Sequence, residues 1–207
     1  MNRFLLKVLG LSGLLLGGCA TVVDAQAPAV PEYVIRPALQ PSHRADLMYQ
    51  VLLAELAGKR DHLDVALTNY RQAATASNDP RIAERAAMLA LIMKDNATAL
   101  DLARRWQALD PGSEQAQQAL ALALLRNGRE DEAMASLDAV RGAARAKDKQ
   151  QGFATVASLL SQMDDKQAAL RVMRRLRDRY PREAYAQYYY AMLAAAADER
   201  EQALISL

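Results

Sequence analysis

Side chains able to do covalent or metal chemistry are few in this 207-residue sequence, so each can be weighed by its neighbours. Histidine occurs twice, at His43 and His62, with no second ligand at metal spacing beside either. The acidic pair Asp164-Asp165 falls where a helical pattern breaks, so it reads as a turn and not as a catalytic dyad. No glycine-rich phosphate loop and no nucleophile elbow is present. An enzyme is therefore not expected, and neither is a metal, a cofactor or a small-molecule substrate. The one group in a reactive setting is the thiol of Cys19, the only cysteine, which directly follows Leu16-Gly17-Gly18. A lone thiol can close no intrachain disulfide.

The residues ahead of that thiol have the layout of an export signal. Arg3 and Lys7 supply the positive charge, and Val8 to Leu16 form an apolar core too short to span a bilayer permanently. Residues 1–19 resemble a bacterial lipoprotein signal, whose lipobox ends in the cysteine that is acylated and becomes the new N-terminus. The resemblance implies lipidation at Cys19 and anchoring by acyl chains in place of a membrane-spanning helix. By likeness to the sorting rule of diderm bacteria, Ala20 instead of aspartate after the cysteine implies the outer membrane, on its periplasmic face. Losing Arg3 and Lys7 would reduce 26 Lys and Arg to 24, against 24 Asp and Glu. A balanced chain gives no electrostatic reason to expect nucleic acid.

Residues 20–45 hold four of the seven prolines, Pro28, Pro31, Pro37 and Pro41, and show no helical period. Such sequence is extended and semi-rigid at about 3 Å per residue, so this tether could hold the rest of the chain up to about 75 Å from a membrane. Tyr33-Val34-Ile35 is an apolar island within it, equally readable as a docking segment or as plain linker.

From residue 46 onward the chain is organised by pairs of alanines twelve residues apart. The pairs are Ala54 and Ala66, Ala87 and Ala99, Ala121 and Ala133, Ala157 and Ala169, and Ala191 and Ala203. Successive second alanines are 33, 34, 36 and 34 residues apart, and each precedes a large apolar residue: Leu67, Leu100, Met134, Leu170, Leu204. Small residues on facing helices let two backbones approach, while the large neighbours fill the space around the contact. Breaks fall midway, at Lys59-Arg60-Asp61, Lys94-Asp95, Asn127-Gly128, Asp164-Asp165 and Ala197-Asp198. Pro80, Pro111 and Pro181 stand near repeat ends. A period near 34 built from two helices resembles the tetratricopeptide family. The expected fold is thus all-α: a tetratricopeptide solenoid of about five helical hairpins, near 47–79, 80–113, 114–147, 150–183 and 184–207, the last incomplete. Trp106 is expected in the core. Arg141 to Lys149 reads as a basic inter-repeat loop, and Arg171 to Arg179 as a basic helix end that either offsets the helix dipole or faces an anionic polymer or partner.

Tetratricopeptide arrays resemble one another in holding partner segments on a concave surface lined by the first helix of each repeat. Carried onto this frame, that surface takes Arg81, Glu84, Met88 and Leu91; Gln115, Gln118, Leu122 and Leu125; Gln151, Ala154, Ser158 and Ser161; and Tyr185, Tyr188, Met192 and Ala195. Methionine, tyrosine and glutamine suit adaptable protein contacts. Leu204, Ile205 and Leu207 have no following helix to cover them, so the chain is expected to be a piece of a longer array or to bury its end in a partner.

A closer resemblance lies in Leu52-Leu-Ala-Glu-Leu-Ala-Gly-Lys-Arg60, Asp64-Val-Ala-Leu-Thr-Asn-Tyr70 and Asp79-Pro-Arg-Ile-Ala-Glu-Arg-Ala86. These stretches are similar to the opening repeats of outer-membrane tetratricopeptide lipoproteins that partner a periplasmic carboxyl-terminal processing protease. That family implies an inactive adaptor bringing the protease its substrates, the cell-wall hydrolases. The other reading is an assembly subunit, similar to the tetratricopeptide lipoproteins of barrel insertion or pilus secretin targeting.

Overall fold

A computed structural model of the chain describes residues 43–205. Cys19, the proline-rich segment as far as residue 42 and Leu207 lie outside the described residues, and so do the expectations placed on them. Among the described residues ten helices succeed one another: α1 (His43–Lys59), α2 (Leu63–Ala76), α3 (Pro80–Ile92), α4 (Asn96–Leu109), α5 (Glu114–Arg126), α6 (Glu130–Lys147), α7 (Gln151–Ser161), α8 (Lys166–Arg179), α9 (Ala184–Ala196) and α10 (Arg200–Ile205). Consecutive helices pack as hairpins, and the first helices of successive repeats also touch, α3 on α5, α5 on α7 and α7 on α9. The helices start where the sequence offers side-chain acceptors. Asp79, Asp95, Ser113 and Asp165 each accept from a backbone N–H of the following first turn.

The alanine pairs hold the hairpins together. All ten are buried, none more than 8% exposed, and the six of the first three repeats are fully enclosed. Trp106 is buried among them at 3% exposure. Four of the five hairpin turns share one geometry, with a left-handed residue five places before the second alanine: Asp61 (φ 61°), Lys94 (57°), Gly128 (69°) and Asp198 (64°). The next residue's N–H then reaches back to the helix, His62 to Ala57, Asp95 to Ala90, Arg129 to Leu124 and Glu199 to Ala194, at 2.9–3.0 Å. This closes the exposed carbonyls of the helix end.

The fourth hairpin departs from that pattern. Among the described residues its turn has no left-handed position. Instead the Lys166 ammonium donates to the carbonyls of Ser161 and Met163, both at 2.8 Å. Met163 is buried at the turn, and α7 presents Phe153, Val156, Leu159 and Leu160 where α3 and α5 present mostly alanines. Larger side chains keep helices further apart, and α7 and α8 accordingly touch less than the other hairpin pairs.

One expected loop is helix. Arg141 to Lys147 continue α6, which runs to 18 residues and absorbs the lengthened repeat. Acidic Glu130, Asp131 and Glu132 in its first turn and basic Arg145 and Lys147 in its last suit the helix dipole. It ends against Gly152 of α7, where an added Cβ would come within 3.0 Å of the Arg141 carbonyl and of the Arg145 Cβ.

Candidate protein-binding surface

The first helix of each repeat presents two kinds of residue at the positions read from sequence. Arg81, Glu84 and Met88 on α3, Gln115 on α5, Gln151, Ser158 and Ser161 on α7, and Tyr185, Tyr188, Met192 and Ala195 on α9 are exposed, and Gln118 and Ala154 half-buried. Three others are corrected by the structure: Leu91, Leu122 and Leu125 are buried core residues. The reason is the turn edge above them. Arg126, at the end of α5, donates to the Leu91 carbonyl at 2.8 Å and to the Gln162 carbonyl at 3.3 Å. Asn127 donates to the Asn96 carbonyl at 2.7 Å. Lys94 reaches Asp164 of repeat four at 2.9 Å. These side chains span the turn edge beside Leu91 and Leu125. The Lys94 ammonium beside Asp164 holds that carboxyl below the usual carboxylate range.

Exposed apolar residues gather at the two ends of the array. On α9, Tyr185, Tyr188 and Met192 recur at helical spacing and, with Gln150 and Tyr189, line a hollow of about 390 Å³. Tyr188 and Tyr189 meet edge to face, with ring centres 5.0 Å apart. At the other end, Met88 and Ile92 of α3 share a groove of about 350 Å³ with Gly58 and Lys59 of α1. Its polar wall is the Glu55–Arg85 ion pair, with the Arg85 guanidinium 3.5 Å from the Tyr70 hydroxyl. Burial, and then the Glu55 carboxylate, push the Tyr70 phenol up. Met48 was missed in the sequence reading, although it stands six residues before Ala54 as Arg81 stands before Ala87. Carrying the frame back one repeat would have found it.

The basic stretches are engaged within the chain. Arg171 donates to Glu130 at 3.1 Å, Arg175 to Asp131 at 2.7 Å and Arg179 to Asp138 at 2.8 Å, forming a ladder from α8 to α6. Arg145 pairs with Glu183 and Lys147 with Glu114. Arg141 lies 3.7 Å over the Tyr180 ring and bonds Asp138. Burial pushes the Asp138 carboxyl up, but donors from Tyr180, Arg179 and Arg141 outweigh it and hold the group below the usual range. This favours the structural reading of these cations over the anionic-polymer one. Among the described residues no group of three His, Cys, Asp or Glu could hold a metal ion, and no helix is long and apolar enough to cross a membrane.

Comparison with known proteins agrees with this architecture. No protein-family model matches the chain. It is similar to the TPR repeat-containing protein PA4667 of Pseudomonas aeruginosa, 35% identical over 134 residues and 61% of this chain. The chain spans 23% of the length of that relative. Among solved structures it is similar to a tetratricopeptide repeat protein from Parabacteroides merdae, with TM-score 0.52 and 16% identity, covering 81% of this chain and 65% of that one. MamA from Desulfovibrio magneticus aligns with TM-score 0.50 and 17% identity, over 78% of this chain and 90% of its own. At such identities the solved structures show the fold alone. Residues 43–205 form an all-α tetratricopeptide-repeat solenoid.

Proposed function

We propose that this chain is a non-enzymatic adaptor that holds protein partners on the faces of its first helices, tethered through Cys19 to the periplasmic side of the outer membrane. Its finer role in this reading is to bring cell-wall hydrolases to a periplasmic carboxyl-terminal processing protease. The observation carrying the binding role is the exposed Tyr185, Tyr188 and Met192 row on α9. Tyrosines laid in a hollow give amphipathic contact area at low entropic cost, and a methionine beside them adapts to the partner's shape. The adaptor reading is supported by the likeness of Leu52–Arg60 and Asp79–Ala86 to opening repeats of such lipoproteins, and the anchor by the lipobox ending in Cys19.

The test is capture of envelope proteins by the acylated chain from detergent-solubilised membranes, with a Tyr188→Ala, Met192→Ala double variant as control. Recovery of a processing protease or a cell-wall hydrolase, lost in the variant, is the expected result. Recovery of barrel-assembly or pilus components alone would overturn the adaptor role in favour of an assembly subunit. Metabolic labelling with an alkyne fatty acid, abolished by Cys19→Ser, checks the anchor.

A further inference from the structure

Sulfur is spread unevenly over this fold. Of the eight methionines, all but Met1 stand among the described residues. Met134, Met163 and Met173 are at most 6% exposed, and Met93 is packed against the core. Met48, Met88 and Met192 are 62%, 44% and 51% exposed, and all three belong to first helices, α1, α3 and α9. Met88 and Met192 also share one repeat position, directly after the first alanines Ala87 and Ala191. Each walls a concavity on a first-helix face. Met88 does so with Ile92 in the groove of about 350 Å³, and Met192 with Tyr185 and Tyr188 in the hollow of about 390 Å³. A thioether open to solvent is open to oxidants, whereas an enclosed one is shielded.

We propose that Met88 and Met192 are modification sites, at which a hydroperoxide weakens the hold of the first-helix faces on their partners while the solenoid stays folded. The inference rests on the binding role proposed above. With hydrogen peroxide the thioether sulfur attacks one peroxide oxygen, so that an S–O bond forms and the O–O bond breaks. The proton of the transferred hydroxyl passes to the departing oxygen, which leaves as water. Sulfur is oxidised by two electrons and the peroxide is reduced by two. The product is a polar, chiral sulfoxide on a side chain that was apolar and adaptable. A partner seated against the thioether must then strip water from the sulfoxide oxygen, and burying a polar atom without a matching donor is unfavourable. Met134, Met163 and Met173 are enclosed, so the same oxidant spares the packing between helices. A sulfoxide reductase reverses the change with two thiols, which leave as a disulfide while the oxygen leaves as water.

Partial oxidation of the acylated chain with hydrogen peroxide, stopped with catalase, tests it. Peptide mass mapping should show Met88 and Met192 gaining oxygen about tenfold faster, or more, than Met134, Met163 and Met173. Helical content by circular dichroism should be unchanged. The partly oxidised chain is then offered to the immobilised envelope protein that the untreated chain captures. The bound fraction should hold about threefold less sulfoxide, or lower still, at Met88 and Met192 than the unbound fraction. A sulfoxide reductase with dithiothreitol should return the unbound chains to binding. Equal sulfoxide in both fractions overturns the proposal while the binding role stands. Oxidation no faster than at the buried methionines, or unfolding that accompanies it, overturns the proposal as well. An untreated chain that captures nothing defeats the binding role itself, and the proposal with it.

Discussion

The Lys94 ammonium sits 2.9 Å from both carboxylate oxygens of Asp164, seventy residues further along, and so links the turn of repeat two to the turn of repeat four. It passes over the turn of repeat three, where Gly128 takes the left-handed conformation. Both partners are well exposed, so the contact is expected to govern spacing more than stability. The folded-state carboxyl is lowered from 3.8, so its contribution is present above that value and lost as pH falls through the lowered one. Spin labels placed in turns two and four should therefore move apart as pH falls through that lowered value, and in high salt. Asp164→Asn should give the wider distance at every pH, with the melting temperature nearly unchanged.

Asp138 is the more consequential carboxylate for stability. It accepts from Tyr180 at 2.5 Å, Arg179 at 2.8 Å and Arg141 at 3.2 Å, and its side chain is only 24% exposed. Asp138→Asn should destabilise the chain by about 1–3 kcal/mol, the range for losing hydrogen bonds to a charged group. Because the folded pKa is lowered, wild type holds this advantage above pH 3.8 and loses it as the carboxyl protonates. Urea titrations stepped downward from pH 7 should show the two proteins converging as the pH falls below 3.8.

Asp61 adopts φ 61° without being glycine. The left-handed region costs an L-residue ~1 kcal/mol relative to glycine. Asp61→Gly should recover about that much, since nothing in the turn requires the side chain. Thermal unfolding of the single variant measures it, and no gain would mean that the carboxylate contributes there after all.

Gly152 predicts the opposite sign. A methyl at that position meets the Arg141 carbonyl and the Arg145 Cβ at 3.0 Å, and the backbone oxygen cannot swing aside. Gly152→Ala should cost about 1–3 kcal/mol as α6 and α7 are forced apart. Denaturant titration reads the loss directly.

Truncating the α9 row should separate binding from folding. Tyr188→Ala and Met192→Ala remove side chains that are 47% and 51% exposed, so melting should change little. Affinity for a partner seated on that surface should fall at least tenfold, since anchoring aromatics often carry about 2 kcal/mol or more. Isothermal titration with the captured partner checks it.

The hairpins were legible because one physical requirement, a methyl-sized contact between paired helices, recurs at fixed spacing and leaves a mark that single residues cannot. The helix starts at Asp79, Asp95, Ser113 and Asp165 follow from local chemistry of the same kind, a side-chain acceptor for the first turn. What escaped depended on contacts distant in sequence. Leu91 read as surface because part of its cover, Arg126, comes from the next repeat, and Leu122 and Leu125 because the frame alone does not show that they face the core. Arg141 read as a free loop cation, although its place over Tyr180 is fixed by a residue 39 positions later.

The wide fourth hairpin has a mechanical consequence. Where methyls interlock, as between α3 and α4, a change of angle would collide backbones, so those repeats move as blocks. Phe153 and Met163 hold α7 and α8 apart, and the neighbouring α6 and α8 are joined by long arginine side chains that can re-aim without breaking a packed seam. Flexing should concentrate at this vertebra, letting the Tyr185–Tyr188–Met192 row swing relative to the first three repeats and adjust its grip to cargoes of different girth.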